Sequence, residues 1–455
     1  KPLYLADDGA TVRFASQVRA LLKAKSIATS SDAAGKVGFL LWGYVPEPYT
    51  LYEEIRSLPP GSWLSIDKNG TRTSGTVCSI SSEIAAAEDR ASCMSSNEAF
   101  ERLRNAMLGT VSRHMIADVP VGVFLSSGLD STTLTALAAE VHAHRLRTVT
   151  LGFEEYRGTL SDEVPLAEAV ARQFGSTHET RWVSRTEFQT DFAAMLSVMD
   201  QPSIDGVNTY FVSKAAKQAG LKAALSGLGG DELFGGYASF HQIPQLVRNL
   251  GKFPVGAGKV LRAISAPLVK QITSAKYAGL LEYGGSYGGA YLLRRGLFMP
   301  WELPHLLDPD LVREGWRGLQ PILQLEATVK DIESDRLRVS ALEMTWYMRN
   351  QLLRDSDWAG MAHSVEIRVP LVDLDLLRTV VPLAGSFSGK HEMARTPASA
   401  LPDAILDRPK TGFSIPVREW LTRTEGDSNE RGLRSWAIRL AKEFEVVDSR
   451  KALQA

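Results

Sequence analysis

Residues 121–131 read VGVFLSSGLDS: a short apolar run enters a turn of small residues and passes at once into a helix-forming stretch, STTLTALAAEVHA. No other feature constrains the fold as strongly. An apolar run without polar alternation reads as a buried parallel strand. A small-residue turn between such a strand and a helix presents free backbone N–H groups at the positive end of a helix dipole, which makes an anion site. Asp130 lies in the same turn. It is badly placed for holding a phosphate alone and makes sense with a divalent cation between it and the phosphate oxygens. No GxxxxGK[ST] pattern occurs in this turn, so it is not a Walker loop.

A second segment repeats the pattern. Residues 222–237 read KAALSGLGGDELFGGY, again an apolar strand running into a glycine-rich turn, followed by Asp231 and Glu232. Strands and helices alternate around the two turns: VGVFL, 131–143, RTVTLGF (147–153), 163–174, a weak strand near THETRWV, 208–219 and AALS. This alternation predicts an α/β fold with a doubly wound parallel sheet. Open sheets of that kind bind ligands at the carboxyl ends of their strands. The two turns are therefore expected to face one nucleotide and share one magnesium ion.

At these residues the chain resembles the asparagine synthetase family of ATP-dependent, glutamine-hydrolysing amidotransferases. SSGLDS is similar to that family's SGGxDS pyrophosphate loop, and SGLGGDELFGGY to its second ATP loop. MAHSVEIRVPLVD (361–373) and DRPKTGF (407–413) resemble its two C-terminal signatures, and residues 1–23 the later part of its N-terminal glutaminase domain. The motifs occur in the family's order. The resemblance implies an ATP-pyrophosphatase-type (adenine nucleotide alpha hydrolase-like) sheet with a C-terminal helical region, preceded by the β-rich remainder of an N-terminal-nucleophile glutaminase. The expected boundaries are 1–75 for that remainder, 76–95 for a Ser-rich linker, and 96–455 for the amide-forming domain. Helical periodicity dominates from about 240, and residues 240–335 carry no usable motif.

Composition narrows the class. Lys and Arg number 51 against 52 Asp and Glu, so no global basic field argues for nucleic acid. No apolar run reaches the ~18 residues of a membrane span. Two cysteines, Cys78 and Cys93, are too few for a disulfide framework and form no CxxC site. A cytoplasmic protein is expected, with small-molecule partners; a homodimer is one assembly open to it, and the sequence does not fix the oligomeric state. Lys1 opens mid-pattern, so the chain is expected to be the remainder of a longer one.

By the resemblance, Ser126, Ser127, Gly128 and Ser131 hold phosphate oxygens, although family enzymes carry Gly at the position of Ser127. Phe124 and Leu151 fall at adenine-contacting positions, with plain core as the alternative, and Ser226 and Gly227 where the backbone touches the nucleotide. Asp130 and Asp231 are the expected magnesium ligands, with Glu232 behind them. Lys410 matches the family's catalytic lysine, whose fixed charge would stabilise departing pyrophosphate. The acceptor side is drawn from Leu228, Glu232, Asp357 and Arg368, with Glu366 beside them. Arg368 has the fork to clamp a carboxylate, and Glu366 is a candidate catalytic base for an incoming amine. A structural ion pair between Glu366 and Arg368 is the equal alternative.

Leu228 departs from the pattern, because asparagine synthetases carry Glu there and the related β-lactam-forming enzymes Tyr. An apolar side chain takes no proton, so any amine base lies elsewhere. The leading reaction is amidation of aspartate by glutamine or ammonia through an acyl-adenylate, with ATP and Mg²⁺. The alternatives are a lactam, macrolactam or sugar-acid amide, and, in another class, an inactive nucleotide-binding scaffold. The glutaminase chemistry needs an N-terminal Cys, and residue 1 is Lys.

Overall fold

The structure is a computed structural model. It describes residues 1–24, 26–90, 94–142, 146–272, 275–386, 389–408, 416, 420 and 433–447, with backbone alone at 255, 265–272 and 275.

Strands β1 (Tyr4–Asp7), β2 (Val12–Ala15) and β3 (Ile55–Ser57) form an antiparallel sheet in the order β2-β1-β3. Strands β4 (Ser62–Ile66) and β5 (Arg72–Thr76) form a separate hairpin. Between β2 and β3 in the chain lies a feature the β-rich reading lacks, the buried helix Ala33–Trp42. Asp32 starts it by accepting from the Gly35 N–H at 2.6 Å. The run FLLW is apolar on all sides because the helix is covered all round. Its N-terminal turn meets the helix Pro309–Leu319 so closely that a Cβ on Gly315 would stand 2.4 Å from the Ala33 carbonyl oxygen. The N-terminal segment is thus packed onto the downstream body.

The Ser-rich stretch expected as a linker is also partly helical. Helix Ile80–Glu88 begins where the Ser79 side chain accepts from the Ser82 N–H. Ile84 and Ala87, three residues apart on one face, have no exposed surface. That pair anchors the helix in the main core, which a patternless linker would not do.

The expected doubly wound sheet is present. Strands β6 (Val121–Phe124), β7 (Arg147–Phe153), β8 (Thr177–Val183), β9 (Ala223–Leu225) and β10 (Glu366–Arg368) lie in the order β10-β9-β6-β7-β8. Every neighbouring pair is parallel. The fifth strand comes from the EIR of MAHSVEIRVP, a run too short to announce itself. Along β7, Val149, Leu151 and Phe153 enter one core, while Thr148 and Thr150 point to the other face, as the two-residue period requires. There the Thr150 hydroxyl donates to the Leu125 carbonyl at 2.6 Å.

From β6 the chain winds outward through β7 and β8, then returns to place β9 on β6's other side. The reversal creates a crevice between the β6 and β9 carboxyl ends, where such sheets bind ligands. No helix among the described residues is long and apolar enough to cross a membrane.

Candidate active site

The crevice opens into a cavity of about 520 Å³. The first loop is braced by its own hydroxyls. The Ser131 Oγ donates to the Ser126 carbonyl at 3.1 Å, accepts from the Ser126 N–H at 3.1 Å, and lies 2.8 Å from the Ser126 Oγ. These contacts pin the turn at the start of the helix Leu129–Val141, whose N-cap is Gly128. Ser127 is 1% exposed and its Oγ has no hydrogen-bond partner among the described residues. Such an orphaned hydroxyl on a cavity wall suits a ligand oxygen.

The second loop approaches the first because it is glycine. A Cβ on Gly230 would stand 2.6 Å from the Asp130 carboxyl carbon, and one on Gly227 2.9 Å from the Asp130 Cβ. Gly229 has φ +95, a conformation an L side chain rarely adopts. The loop is also fixed from outside by the Ser226 N–H donating to the Arg368 carbonyl at 2.8 Å.

Asp130 and Asp231 converge on one ammonium. The Lys390 Nζ donates to the Asp130 Oδ2 at 2.5 Å and also pairs with the Asp231 Oδ1. Burial pulls the Lys390 pKa down, but the two carboxylates outweigh it and hold the amine protonated. A cation is therefore already favoured at the point where the acids meet. Two hard oxygen ligands on one spot suit a magnesium ion that keeps its remaining positions for water and phosphate. Among the described residues no group of three or more His, Cys, Asp or Glu offers a fuller metal cage.

Glu232 stands directly behind, 1% exposed, accepting from the Tyr237 hydroxyl at 2.8 Å. Burial pushes its carboxyl up to about 7.

The remaining walls divide by chemistry. Phe124, Val149, Leu151 and Ile405 are apolar, whereas Asn208, Thr209 and Ser356 are polar. Leu228, half-buried, also lines the cavity. Among the residues expected at the nucleotide, Phe124, Ser126, Ser127, Gly128, Asp130, Ser131, Leu151, Ser226, Gly227 and Asp231 all line it, as does Glu232.

Of the residues expected on the acceptor side, Leu228 and Glu232 line the cavity, whereas Asp357, Glu366 and Arg368 do not. Strand β10 turns Ile367 into the cavity wall, so its neighbours face away. Glu366 is exposed and accepts from the Arg368 Nε at 3.0 Å. The Arg368 guanidinium also donates to the carbonyls of His114 and Ile116 at 2.7 and 2.8 Å. The ion-pair alternative is the geometry observed, and neither side chain lines the cavity. Asp357 fails for a helical reason. In the helix Leu353–Ala362, Ser356 faces the cavity, and the next residue lies about 100° round the axis. Asp357 instead accepts from the Lys1 Nζ at 2.8 Å.

Lys410 lies outside the described residues, but Arg408, two positions earlier in DRPKTGF, lines the cavity. Cys93 also lies outside them. The Cys78 thiol approaches the Glu83 carboxylate at 3.6 Å, and burial raises its pKa, an environment unlike that of a nucleophile.

Sequence reasoning missed Lys390. Its segment, GKHEMAR, carries no motif, and a lone lysine gives no signal until the fold places it.

Comparison with known proteins places this architecture. A family model described as Asparagine synthase matches residues 102–454, and one described as Glutamine amidotransferase domain matches residues 1–76. The chain is 28% identical over 433 residues to the glutamine-hydrolyzing asparagine synthetase 1 of Bacillus subtilis, covering 92% of this chain and 65% of that protein. It is 25% identical over 461 residues to asparagine synthetase 3 of the same organism, covering 94% of this chain and 67% of that one. Similarity to asparagine synthetase B of Escherichia coli is 29% over 159 residues, or 31% of this chain and 28% of that one. The chain therefore spans 65% of the length of the first of these relatives. Because the Asparagine synthase match contains the whole parallel sheet and every residue lining its switch-point cavity, the chain belongs to the asparagine synthase family.

Proposed function

We propose that this chain activates a carboxylate with ATP and transfers the acyl group to ammonia or an amine, forming an amide. The carboxylate oxygen would attack the α-phosphorus, pyrophosphate would leave, and the nitrogen would then displace AMP at the acyl carbon. The observation that carries this reading is the meeting of Asp130, Asp231 and Lys390 in the cavity between the two glycine loops.

Charge accumulates on pyrophosphate as it departs, and fixed positive charge stabilises that transition state. Lys390 supplies such a charge, and Lys410 is proposed as a second. A magnesium ion held by Asp130 and Asp231 would offset the phosphate charge further. Phe124 and Leu151 offer apolar surface to the adenine. The N–H groups of Ser126 and Gly128 are spent bracing the turn, on the Ser131 and Ser126 hydroxyls, so the others of the turn are left for phosphate, together with the Ser127 hydroxyl.

Residues 1–76 match a glutamine amidotransferase domain, which makes glutamine the proposed nitrogen source, with free ammonia as its substitute. Aspartate is the acceptor that the relatives' names suggest. Leu228 favours another, because an apolar wall holds no α-amino group. A bulkier or less charged carboxylate, as in lactam or macrolactam formation, fits that wall better.

Carboxylate substrate labelled with ¹⁸O tests the intermediate. Adenylation transfers one labelled oxygen to AMP. Amide formation with unlabelled AMP would overturn the proposal.

A further inference from the structure

A second cavity, of about 410 Å³, shares no lining residue with the first. Trp42 and Tyr44 from the N-terminal segment and Tyr347 give it aromatic walls, and Lys276, Arg294 and Arg434 line it with positive charge. Lys276 and Arg294 come from the 240–335 segment, which had offered no motif.

The charges are unequally compensated. Arg434 is held by Glu302 through two contacts, at 2.8 and 3.0 Å, and Arg295, also in the wall, is paired with Glu343 at 2.8 Å. Among the described residues no carboxylate stands within 4.0 Å of Lys276 or Arg294. Among the described residues the one acid in the wall is Asp205, which accepts from the Tyr347 hydroxyl at 3.1 Å, and burial raises its pKa towards the neutral form. Burial, then the charges of Arg294 and Arg434, pull the Lys276 pKa down against a smaller opposing pull from Glu302, so the cations repel one another on balance.

A second observation points the same way. Trp42 is 3% exposed, and its indole N–H has no acceptor among the described residues. Two uncompensated cations and one orphaned buried donor all call for acceptor oxygens. The aromatic walls call for a carbon body rather than a bare inorganic ion.

We propose that this cavity binds a small organic carboxylate, with Lys276 and Arg294 taking the charge and the Trp42 indole N–H donating to one of its oxygens. Its occupant would sit where the N-terminal segment meets the rest of the chain. It would also adjoin the nucleotide cavity, since the Tyr347 ring packs edge-on against Tyr237, a nucleotide-cavity residue, with centroids 6.1 Å apart. The site is separate from the adenylation reading and stands without it.

Glutarate is the probe, titrated into the full chain by calorimetry, with the Trp42 indole resonance (assigned by Trp42→Phe) followed by NMR. Glutaramide and inorganic phosphate are the comparison ligands. Saturable glutarate binding is expected, with the Trp42 resonance shifting, glutaramide and phosphate each at least about tenfold weaker, and ATP failing to compete. The double variant Lys276→Gln/Arg294→Gln should weaken glutarate at least about tenfold while circular dichroism stays unchanged. Arg294→Gln alone, at an exposed position, gives a smaller loss with little risk to folding. No saturable binding up to about 10 mM would overturn the proposal, as would equal binding of glutaramide or phosphate, or unchanged affinity in the folded double variant. Glutarate binding without any adenylation would leave this site standing and remove only the adenylation reading.

Discussion

Asp130 and Asp231 stand on different loops of the sheet, yet their carboxylates close on the same ammonium, that of Lys390. Each acid lies in the first turn of a helix, Leu129–Val141 and Gly230–Phe234. A carboxylate is favoured there by the helix dipole. Two such acids facing each other without a cation would repel. Lys390 removes that conflict, and in doing so marks the point where ATP's metal and phosphates are proposed to lie.

Lys390→Gln leaves the two acids facing each other and removes a charge from the proposed leaving-group end. A fall on the order of 10²-fold in kcat for adenylation is expected, larger than the change in KM for ATP. Lys410→Ala should show the same split. Steady-state ATP–pyrophosphate exchange measures both, and an unchanged kcat with a raised KM would reduce Lys390 to a binding group.

Leu228 lies on the cavity wall and offers neither charge nor proton acceptor. A missing charge-assisted hydrogen bond is worth roughly 1.5–3 kcal/mol, or about ten- to hundredfold in discrimination. Poor aspartate amidation is therefore expected, and Leu228→Glu should raise it. The check is asparagine formation from aspartate, ATP, magnesium and ammonia. Rapid turnover of aspartate by the unaltered chain would contradict the argument.

Glu343 has no exposed surface and binds Arg295, with the Ser239 hydroxyl donating to it at 2.6 Å and the Tyr291 hydroxyl at 3.3 Å. Glu343→Gln leaves the Arg295 charge without its partner, so a loss of about 3–5 kcal/mol is expected in urea unfolding. Pairing Glu343→Leu with Arg295→Met should recover much of it. A loss below about 0.5 kcal/mol in Glu343→Gln would show that the pair is not structural.

His363 is 8% exposed and packs edge-on against Tyr210, with centroids 4.4 Å apart. Burial, then the charges of Lys217 and Lys214, pull its pKa from 6.5 down to about 4, against a smaller opposing pull from Asp191. The unfolded chain thus takes up this proton first as pH falls. Stability from neutral His363 is complete above pH 6.5 and is lost progressively down to about 4. His363→Gln should remove that part of the acid slope, so the stability difference between the two proteins changes across this window and is flat above it. Parallel curves from pH 7 to 4 would refute the assignment.

How much the sequence discloses depends on how local each feature is. The glycine turns carry their meaning in consecutive residues, because strand, turn and helix cap are adjacent in the chain, and both turns line the cavity. Lys390 carries none, since its role exists only once a distant helix is folded against the two loops. Glu366 and Arg368 were readable as chemistry or as an ion pair until strand β10 fixed which way they face. That strand is three residues long and held by its neighbour β9 rather than by its own propensity. The helix Ile80–Glu88 hides in a Ser-rich stretch because its burial rests on only two positions, Ile84 and Ala87.

ATP–pyrophosphate exchange, run on the full chain with magnesium and a panel of carboxylates, tests the central claim most directly. The account predicts carboxylate-dependent exchange in the unaltered protein and a collapse of at least about 10²-fold in Asp130→Asn, which keeps the side-chain shape and should keep the fold. Absence of carboxylate-dependent exchange, or near-normal exchange in Asp130→Asn, would contradict it.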